Sequence, residues 1–214
     1  MVKLSKVSKL DGIRSWSLEA RKTCPGSYDA AGALVPACQG CYAVGGNYRF
    51  ANVRKPREFN REDWKRAEWV QDMVKELDSD RYFRWFDSGD VYHPDLARKI
   101  LEVMQQTPWV KHWLPTRSHK LPRIRPILES MRSLPNVSVR FSSDAVDGSY
   151  ADEHGSTIVP DVEPRDGVHT CQAYANDGKC SGCRACWDKS VPVIGYVAHG
   201  RSMAKVIRIH SAAA

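Results

Sequence analysis

Apolar positions along this chain fall into short runs separated by stripes at helical spacing. Residues 82–86 (Tyr-Phe-Arg-Trp-Phe), 109–114 (Trp-Val-Lys-His-Trp-Leu) and 137–141 (Val-Ser-Val-Arg-Phe) are short, rich in aromatic or β-branched side chains and bounded by polar residues. Such runs predict buried strands. After the first, Pro94 opens a stripe of Leu96, Ile100, Val103 and Met104, which predicts a helix. After the second, Ile124, Ile127, Leu128 and Met131 mark another, which Pro126 delays or kinks. This βαβαβ alternation predicts an α/β fold with parallel strands and right-handed crossovers. Residues 13–18 predict an earlier strand. A helix capped by Asn60, with Trp64, Ala67, Val70, Val74 and Leu77 facing inward, is predicted next. Residues 191–197 and 205–209 read as two late strands. The stretch 144–169, rich in Gly, Asp and Pro, reads as an irregular connection. The chain is expected to form a single domain over 1–214: a core over 10–145, a cysteine-rich insertion over 146–190, and C-terminal strands over 191–214.

Each central strand runs into a polar cluster: Asp87-Ser88-Gly89-Asp90, then Thr116-Arg117-Ser118, then Ser142-Ser143-Asp144. In parallel α/β sheets, functional groups collect beyond the carboxyl ends of the strands. The clusters are therefore expected on one face, together with the loop that follows residues 13–18.

Composition narrows the class without naming a function. Of 214 residues, 42% are hydrophobic and 27% charged, which is ordinary for a globular protein. No run approaches the ~18 apolar residues of a membrane span, so no membrane partner is expected. The first residues, Met-Val-Lys-Leu-Ser-Lys, lack a signal-peptide core, and a cytoplasmic location follows. Net charge is +7. Basic residues recur at Arg49, Arg54, Lys55, Arg57 and Arg61, and again at Arg117, Lys120, Arg123 and Arg125. Taken singly these read as a solvated surface, while together they leave nucleic acid open as a partner. The chain lacks a G-x4-G-K-[ST] loop, a G-x-S-x-G elbow and an H-E-x-x-H helix, so those nucleotide-hydrolase, esterase and metalloprotease chemistries have no support.

Cysteine spacing changes the picture most. All seven cysteines lie in two groups, Cys24-x13-Cys38-x2-Cys41 and Cys171-x8-Cys180-x2-Cys183-x2-Cys186. Overlapping C-x-x-C steps present several thiolates from one loop, which suits a metal or an iron–sulfur cluster. The four-cysteine group can close a tetrahedral zinc site or hold a [4Fe–4S] cluster. The three-cysteine group is one ligand short of closure, so it either leaves one iron open or borrows a fourth ligand from the other group. His169, two residues before Cys171, is read as a loop residue, and His93 as a helix cap or surface group. Asp87 and Asp90 read as strand-end turn residues or a cation pair, and Gly45-Gly46-Asn47 as a turn. Trp16, Trp64, Trp85 and Trp113 are assigned to the interior.

The segments Thr23-Cys24-Pro25-Gly26-Ser27, Cys38-Gln39-Gly40-Cys41-Tyr42-Ala43, Ser88-Gly89-Asp90 and Cys180-Ser181-Gly182-Cys183-Arg184-Ala185-Cys186-Trp187 resemble the gene-product-88-like family of phages and mobile elements. That family is in turn similar to the radical S-adenosylmethionine (SAM) proteins. The resemblance implies a partial (β/α) barrel with cysteine-rich metal-binding loops and a three-cysteine cluster whose open iron chelates SAM. Reductive cleavage of SAM to a radical is the chemistry it implies. Carried over by position, Cys24, Cys38 and Cys41 ligate the SAM-binding cluster and Tyr42 neighbours it. Ser88, Gly89 and Asp90 meet the SAM amine, while Thr116, Arg117 and Ser143 meet its carboxylate or ribose. Asp90 and Arg117 then act as the catalytic orienting pair. Cys171, Cys180, Cys183 and Cys186 hold an auxiliary centre. An electron donor and a substrate of unspecified class are implied as partners, in the host cytoplasm for a phage-encoded protein. The thirteen-residue first gap departs from the usual C-x3-C-x2-C loop. The rival readings are a non-catalytic iron–sulfur or zinc module that binds nucleic acid, and an electron carrier with one closed cluster.

Overall fold

The computed structural model describes residues 2–211, with Ser211 as backbone only. Strands β1 (Ser5–Lys6), β2 (Arg14–Trp16), β3 (Tyr82–Trp85), β4 (Lys111–Thr116) and β5 (Val137–Phe141) form a five-stranded sheet in that order. β1 runs antiparallel to β2, and β2 to β5 are mutually parallel. The apolar runs therefore became strands, and 137–141 did so residue for residue. The second run is displaced: Trp109 is exposed, and Val110 N–H bonds the Thr107 carbonyl at 3.0 Å, so the strand starts only at Lys111.

Helices α1 (Pro36–Gln39), α2 (Ala51–Asp63), α3 (Trp69–Glu76), α4 (Pro94–Gln106), α5 (Arg125–Ser133) and α6 (Arg201–Ser211) complete the chain with several single 3-10 turns. α4 begins at Pro94 with His93 as its cap, Nδ1 accepting from Asp95 N–H at 3.1 Å. Pro126 sits in the first turn of α5 and does not kink it. The helix predicted beyond Asn60 is instead two helices. Asn60 lies inside α2, buried, with Nδ2 donating to the carbonyls of Lys3 (2.9 Å) and Ser17 (3.1 Å). Residues 64–68 turn, because Arg66 clasps Asp63 (2.6 Å) and Asp72 (2.7 Å) across the break. The turn rephases the stripe: Trp69, Val70, Met73 and Leu77 point inward, Val74 is half-buried and Ala67 is exposed.

Two further corrections concern the end of the chain. Residues 205–209 are helical, not a strand; Met203 and Val206, three apart, bury one side of α6 against α1. The pattern Lys-Val-Ile-Arg-Ile satisfies either period, and packing decides. Within 144–169, β6 (Ser156–Val159) and β7 (Val168–Thr170) flank β8 (Val193–Val197) in a second, parallel sheet of order β6-β8-β7. Both owe their strand state to β8, which is distant in sequence, so the local composition misled. A parallel bridge between Ser142 and Ser156 ties β5 to this sheet. The architecture is mixed α/β, and among the described residues no pairing closes a barrel. None of the described helices is long and apolar enough to cross a membrane.

Strand alternation gives the main sheet two different faces. Phe83, Trp85, Leu114, Val137, Val139 and Phe141 face the helices and pack with Trp16, Trp69, Met73, Leu96, Ile100, Met104, Leu128 and Met131. Trp16 meets Trp69 edge-on at 5.3 Å, and Phe83 meets Trp85 at 5.1 Å. Trp16, Trp64, Trp85 and Trp113 are all interior, as expected. The opposite face is covered by the cysteine-rich segment, where Trp187 packs on Trp113 at 5.0 Å with Leu10. Arg140, 1% exposed, fastens that cover from β5. Its three nitrogens donate to the carbonyls of His154, Ala185, Cys186, Asp188, Val191 and Pro192, at 2.6–3.4 Å.

His112 on β4 is buried between Trp85 Nε1 (3.3 Å) and Thr107 Oγ1 (2.9 Å), and loss of solvent holds its pKa down at about 3. Its folded pKa is depressed below the usual 6.5, so the unfolded chain takes up the proton first and stability falls as pH drops below that value. Unfolding free energy is expected to fall by about 2 kcal/mol between pH 7 and pH 5 from this residue alone. Denaturant titrations of the wild type and His112→Gln at the two pH values check this. An equal pH slope in both proteins would remove the assignment.

Candidate metal and cofactor site

The carboxyl ends of β2, β3 and β4 are tied together by the polar clusters. Phe86 takes a left-handed backbone (φ 58°), which turns the chain out of β3 into Asp87-Ser88-Gly89-Asp90. Ser88 Oγ donates to the Leu18 carbonyl at 2.7 Å and accepts from Arg57 Nε at 2.6 Å. Gly89 has φ 78°, and a Cβ there would stand 2.6 Å from Leu18 Cβ and 2.7 Å from Thr23 Oγ1. Its freedom serves the close packing of this turn on the loop that leads to Cys24. Asp90 is buried, and its carboxylate accepts from Val91 N–H (2.7 Å), Thr116 Oγ1 (2.6 Å) and Arg117 N–H (2.9 Å). Burial pushes its pKa up, against those hydrogen bonds. Asp87 and Asp90 part company: Asp87 turns to Arg57, Arg84 and Tyr48.

Cys24 follows the first loop, and Cys38 and Cys41 belong to α1 and the turn after it, where Cys41 N–H bonds the Cys38 carbonyl at 3.3 Å. Gly40 stands between them because α6 crosses there; a Cβ would lie 2.8 Å from Met203 Cα. In the second group, Cys171 N–H continues the β7–β8 pairing to the Gly195 carbonyl (2.8 Å), and Cys180 N–H bonds the Lys9 carbonyl (2.8 Å). Asp11 holds the Cys180–Cys183 turn through Gly182 N–H and Arg184, both at 3.0 Å. Cys186 Sγ lies 3.4 Å from Tyr196 Oη.

All seven cysteines are free thiols. Burial pushes Cys24 up to about 12, with Asp90, Cys38 and Cys41 adding to the rise. Burial likewise raises Cys186 to about 11, opposed by the Tyr196 hydroxyl and reinforced by Cys171. Cys41 and Cys180 are raised for the same reason. Within each group the thiols thus feel one another, and a metal would have to displace their protons. Among the described residues no three His, Cys, Asp or Glu side chains are already gathered around one point as a metal shell. The donor set fits a soft metal or an iron–sulfur cluster, and closing it requires the loops to draw the sulfurs inward.

Both groups open onto one cavity of about 650 Å³. Cys24, Cys38 and Cys41 line one part of it and Cys171, Cys180 and Cys186 another, while Cys183 is exposed and outside it. Of the other residues singled out from sequence, Tyr42, Ser88, Gly89, Asp90, Thr116 and Arg117 also line it. Tyr42 has an exposed ring, but its hydroxyl is turned down onto the Asp87 carbonyl at 2.9 Å. Ser143 does not line the cavity; its carbonyl accepts from Arg117 Nη2 at 2.7 Å. His169 is exposed on β7, away from it. Gly46–Arg49 is a 3-10 turn.

Sequence reading missed Arg84, Trp113 as a cavity wall, and Tyr196, all of which line the same space. Arg84 and Arg140 carried a usable signal: each is a lone cation inside an otherwise apolar strand run. Such a residue needs a partner on the sheet face it reaches. Tyr196 carried none, because its neighbour Cys186 is brought to it only by the fold.

No curated protein and no solved structure matches the chain significantly. The family model described as Gene product 88 matches residues 2–209, and the chain belongs to that family.

Proposed function

We propose that this protein is a phage-type iron–sulfur protein that acts in the host cytoplasm. Cys24, Cys38 and Cys41 would hold a [4Fe–4S] cluster with SAM at its open iron, and Cys171, Cys180, Cys183 and Cys186 would hold a second iron–sulfur or zinc centre. The chemistry so supplied is one-electron activation of SAM, as in the radical SAM proteins that the motifs resemble. The carrying observation is that two cysteine groups more than a hundred residues apart face one cavity, the first of them beside the carboxyl ends of the parallel strands β2 and β3.

The chain's own residues have definable tasks in this reading. Arg117 has Nη2 on the Ser143 carbonyl and Nε 3.6 Å from the Asp144 carboxylate without a hydrogen bond, so its guanidinium at the cavity wall retains donors for a carboxylate. Asp90 is a positioning residue: it fixes the Arg117 backbone and the Thr116 hydroxyl. α6 closes the first cysteine loop from behind.

One observation favours the rival, a non-catalytic metal module: Ser88 and Asp90 already spend hydrogen-bonding capacity within the chain. The two readings separate on anaerobically purified protein by iron, sulfide and zinc analysis, with EPR of the dithionite-reduced form before and after SAM. About four irons or more per chain and a SAM-induced spectral change are expected. Iron without a response to SAM would leave a structural or electron-transfer cluster, and zinc alone would end the SAM reading.

A further inference from the structure

The cavity wall carries more positive charge than the chain itself neutralises. Two guanidinium groups share the single carboxylate of Asp87, Arg57 Nη2 at 3.1 Å and Arg84 Nη1 at 3.3 Å, and Tyr48 Oη donates to the same carboxylate at 2.6 Å. Arg57 is tied down further, with Nε on Ser88 Oγ and Nη1 on the Val53 carbonyl, both at 2.6 Å. Arg84 is less engaged. Among the described residues Asp87 is its one carboxylate contact, its Nε is buried without a hydrogen-bond partner, and its plane lies over the Trp113 ring at 4.6 Å. The Trp113 indole N–H is likewise buried and unpartnered, in a residue only 3% exposed that lines the cavity.

Position makes this surplus useful. Arg84 projects from the middle of β3 onto the cavity face. It bonds Asp87, whose carbonyl holds the Tyr42 hydroxyl beside the first cysteine group, and it stacks on Trp113, which packs with Cys180 and Cys186 of the second. It therefore stands between the two groups. A stacked, partly desolvated guanidinium with unused donors is suited to fork-shaped oxyanions. A cavity of about 650 Å³ lies within the range of small-molecule sites, about 300–1,000 Å³. It admits a small molecule or one protruding group of a larger one.

We propose that Arg84 anchors an oxyanion, a carboxylate or a phosphate of the substrate, in the cavity between the two cysteine groups. This rests on the reading that the groups frame a reaction cavity, and it does not require SAM. The test is calorimetric titration of the anaerobically purified full chain, at known metal content, with inorganic phosphate and separately with succinate. Wild type, Arg84→Met and Arg84→Lys are compared. Wild type is expected to bind at least one probe, and the identity of that probe tells phosphate from carboxylate. Arg84→Met should weaken it by about tenfold or more, with Arg84→Lys intermediate and metal content unchanged. The proposal is overturned if wild type binds neither probe or if Arg84→Met binds as well as wild type. It is also overturned if affinity and metal content fall together, which would make Arg84 a counter-ion of the centres. Should Arg84→Met not fold, Arg84→Lys decides, because charge without the fork must still weaken binding. Arg84-dependent anion binding in protein whose EPR ignores SAM would keep the anchor and remove the SAM reading. A SAM response without anion binding would do the reverse.

Discussion

Arg140→Met is expected to destabilise the protein by about 3–5 kcal/mol and to strip the second cysteine group of the metal proposed for it. Arg140 is 1% exposed and serves six carbonyls, five of them within residues 185–192, from the middle of β5. Methionine fills comparable space but offers no donor, so the carbonyls of His154, Cys186, Val191 and Pro192 lose their bonds to Arg140, and those of Ala185 and Asp188 keep only the backbone N–H of Asp188 and Val191. An unmet buried acceptor costs far more than a formed hydrogen bond contributes. The affected segment also carries Cys186 and the Trp187–Trp113 contact, so its detachment should loosen the thiol cluster as well. Arg140→Lys keeps the charge but gathers all its donors on one nitrogen, which cannot reach carbonyls on several sides. It should recover only a minor part of the loss. Denaturant unfolding and metal analysis read both effects, and a change under about 1 kcal/mol with full metal content would refute this account of the cover.

The second large effect is a separation of the two cysteine groups. Under the proposed function, the double variant Cys38→Ser/Cys41→Ser should lose the SAM-induced EPR change entirely and retain the metal of the second centre. Cys180→Ser/Cys183→Ser should do the opposite. Thiolate ligands are the bonds that hold such a centre, and serine cannot replace them for a soft metal. The groups are mounted on different supports: α1 braced by α6 for the first, and for the second the β7–β8 edge at Cys171 with the Cys180–Cys183 turn clasped by Asp11 and Lys9. Loss of one support therefore need not unfold the other. If either double variant lost all metal, the seven thiols would form one shared site, and the two-centre assignment would fall.

Legibility followed the range of the forces involved. The strands at 82–86 and 137–141 and the helices from Pro94 and near Pro126 were readable, because a buried strand or an amphipathic helix writes its period into adjacent residues. The cysteine groups were readable for the same reason, since C-x-x-C spacing is local. The convergence of the strand-end clusters followed from parallel topology alone, and Ser88, Gly89, Asp90, Thr116 and Arg117 do line one cavity.

Pairing across long separations was decided only by the fold. β6 and β7 are strands because β8 lies between them, and residues 205–209 are helical because α6 buries Met203 and Val206 against α1. Asn60 could pass for a cap until Lys3 and Ser17 were seen to use its amide. Gly89 is required by Leu18 and Thr23, far away in sequence, which no local motif records. The sequence by itself determined which residues could become strands, helices and thiol ligands, since those depend on near neighbours. The tertiary structure decided that both cysteine groups share one cavity, that Arg84 stands between them, and that Arg140 holds the cover closed. Those depend on which distant backbone carbonyls and charges the sheet brings within a few ångströms.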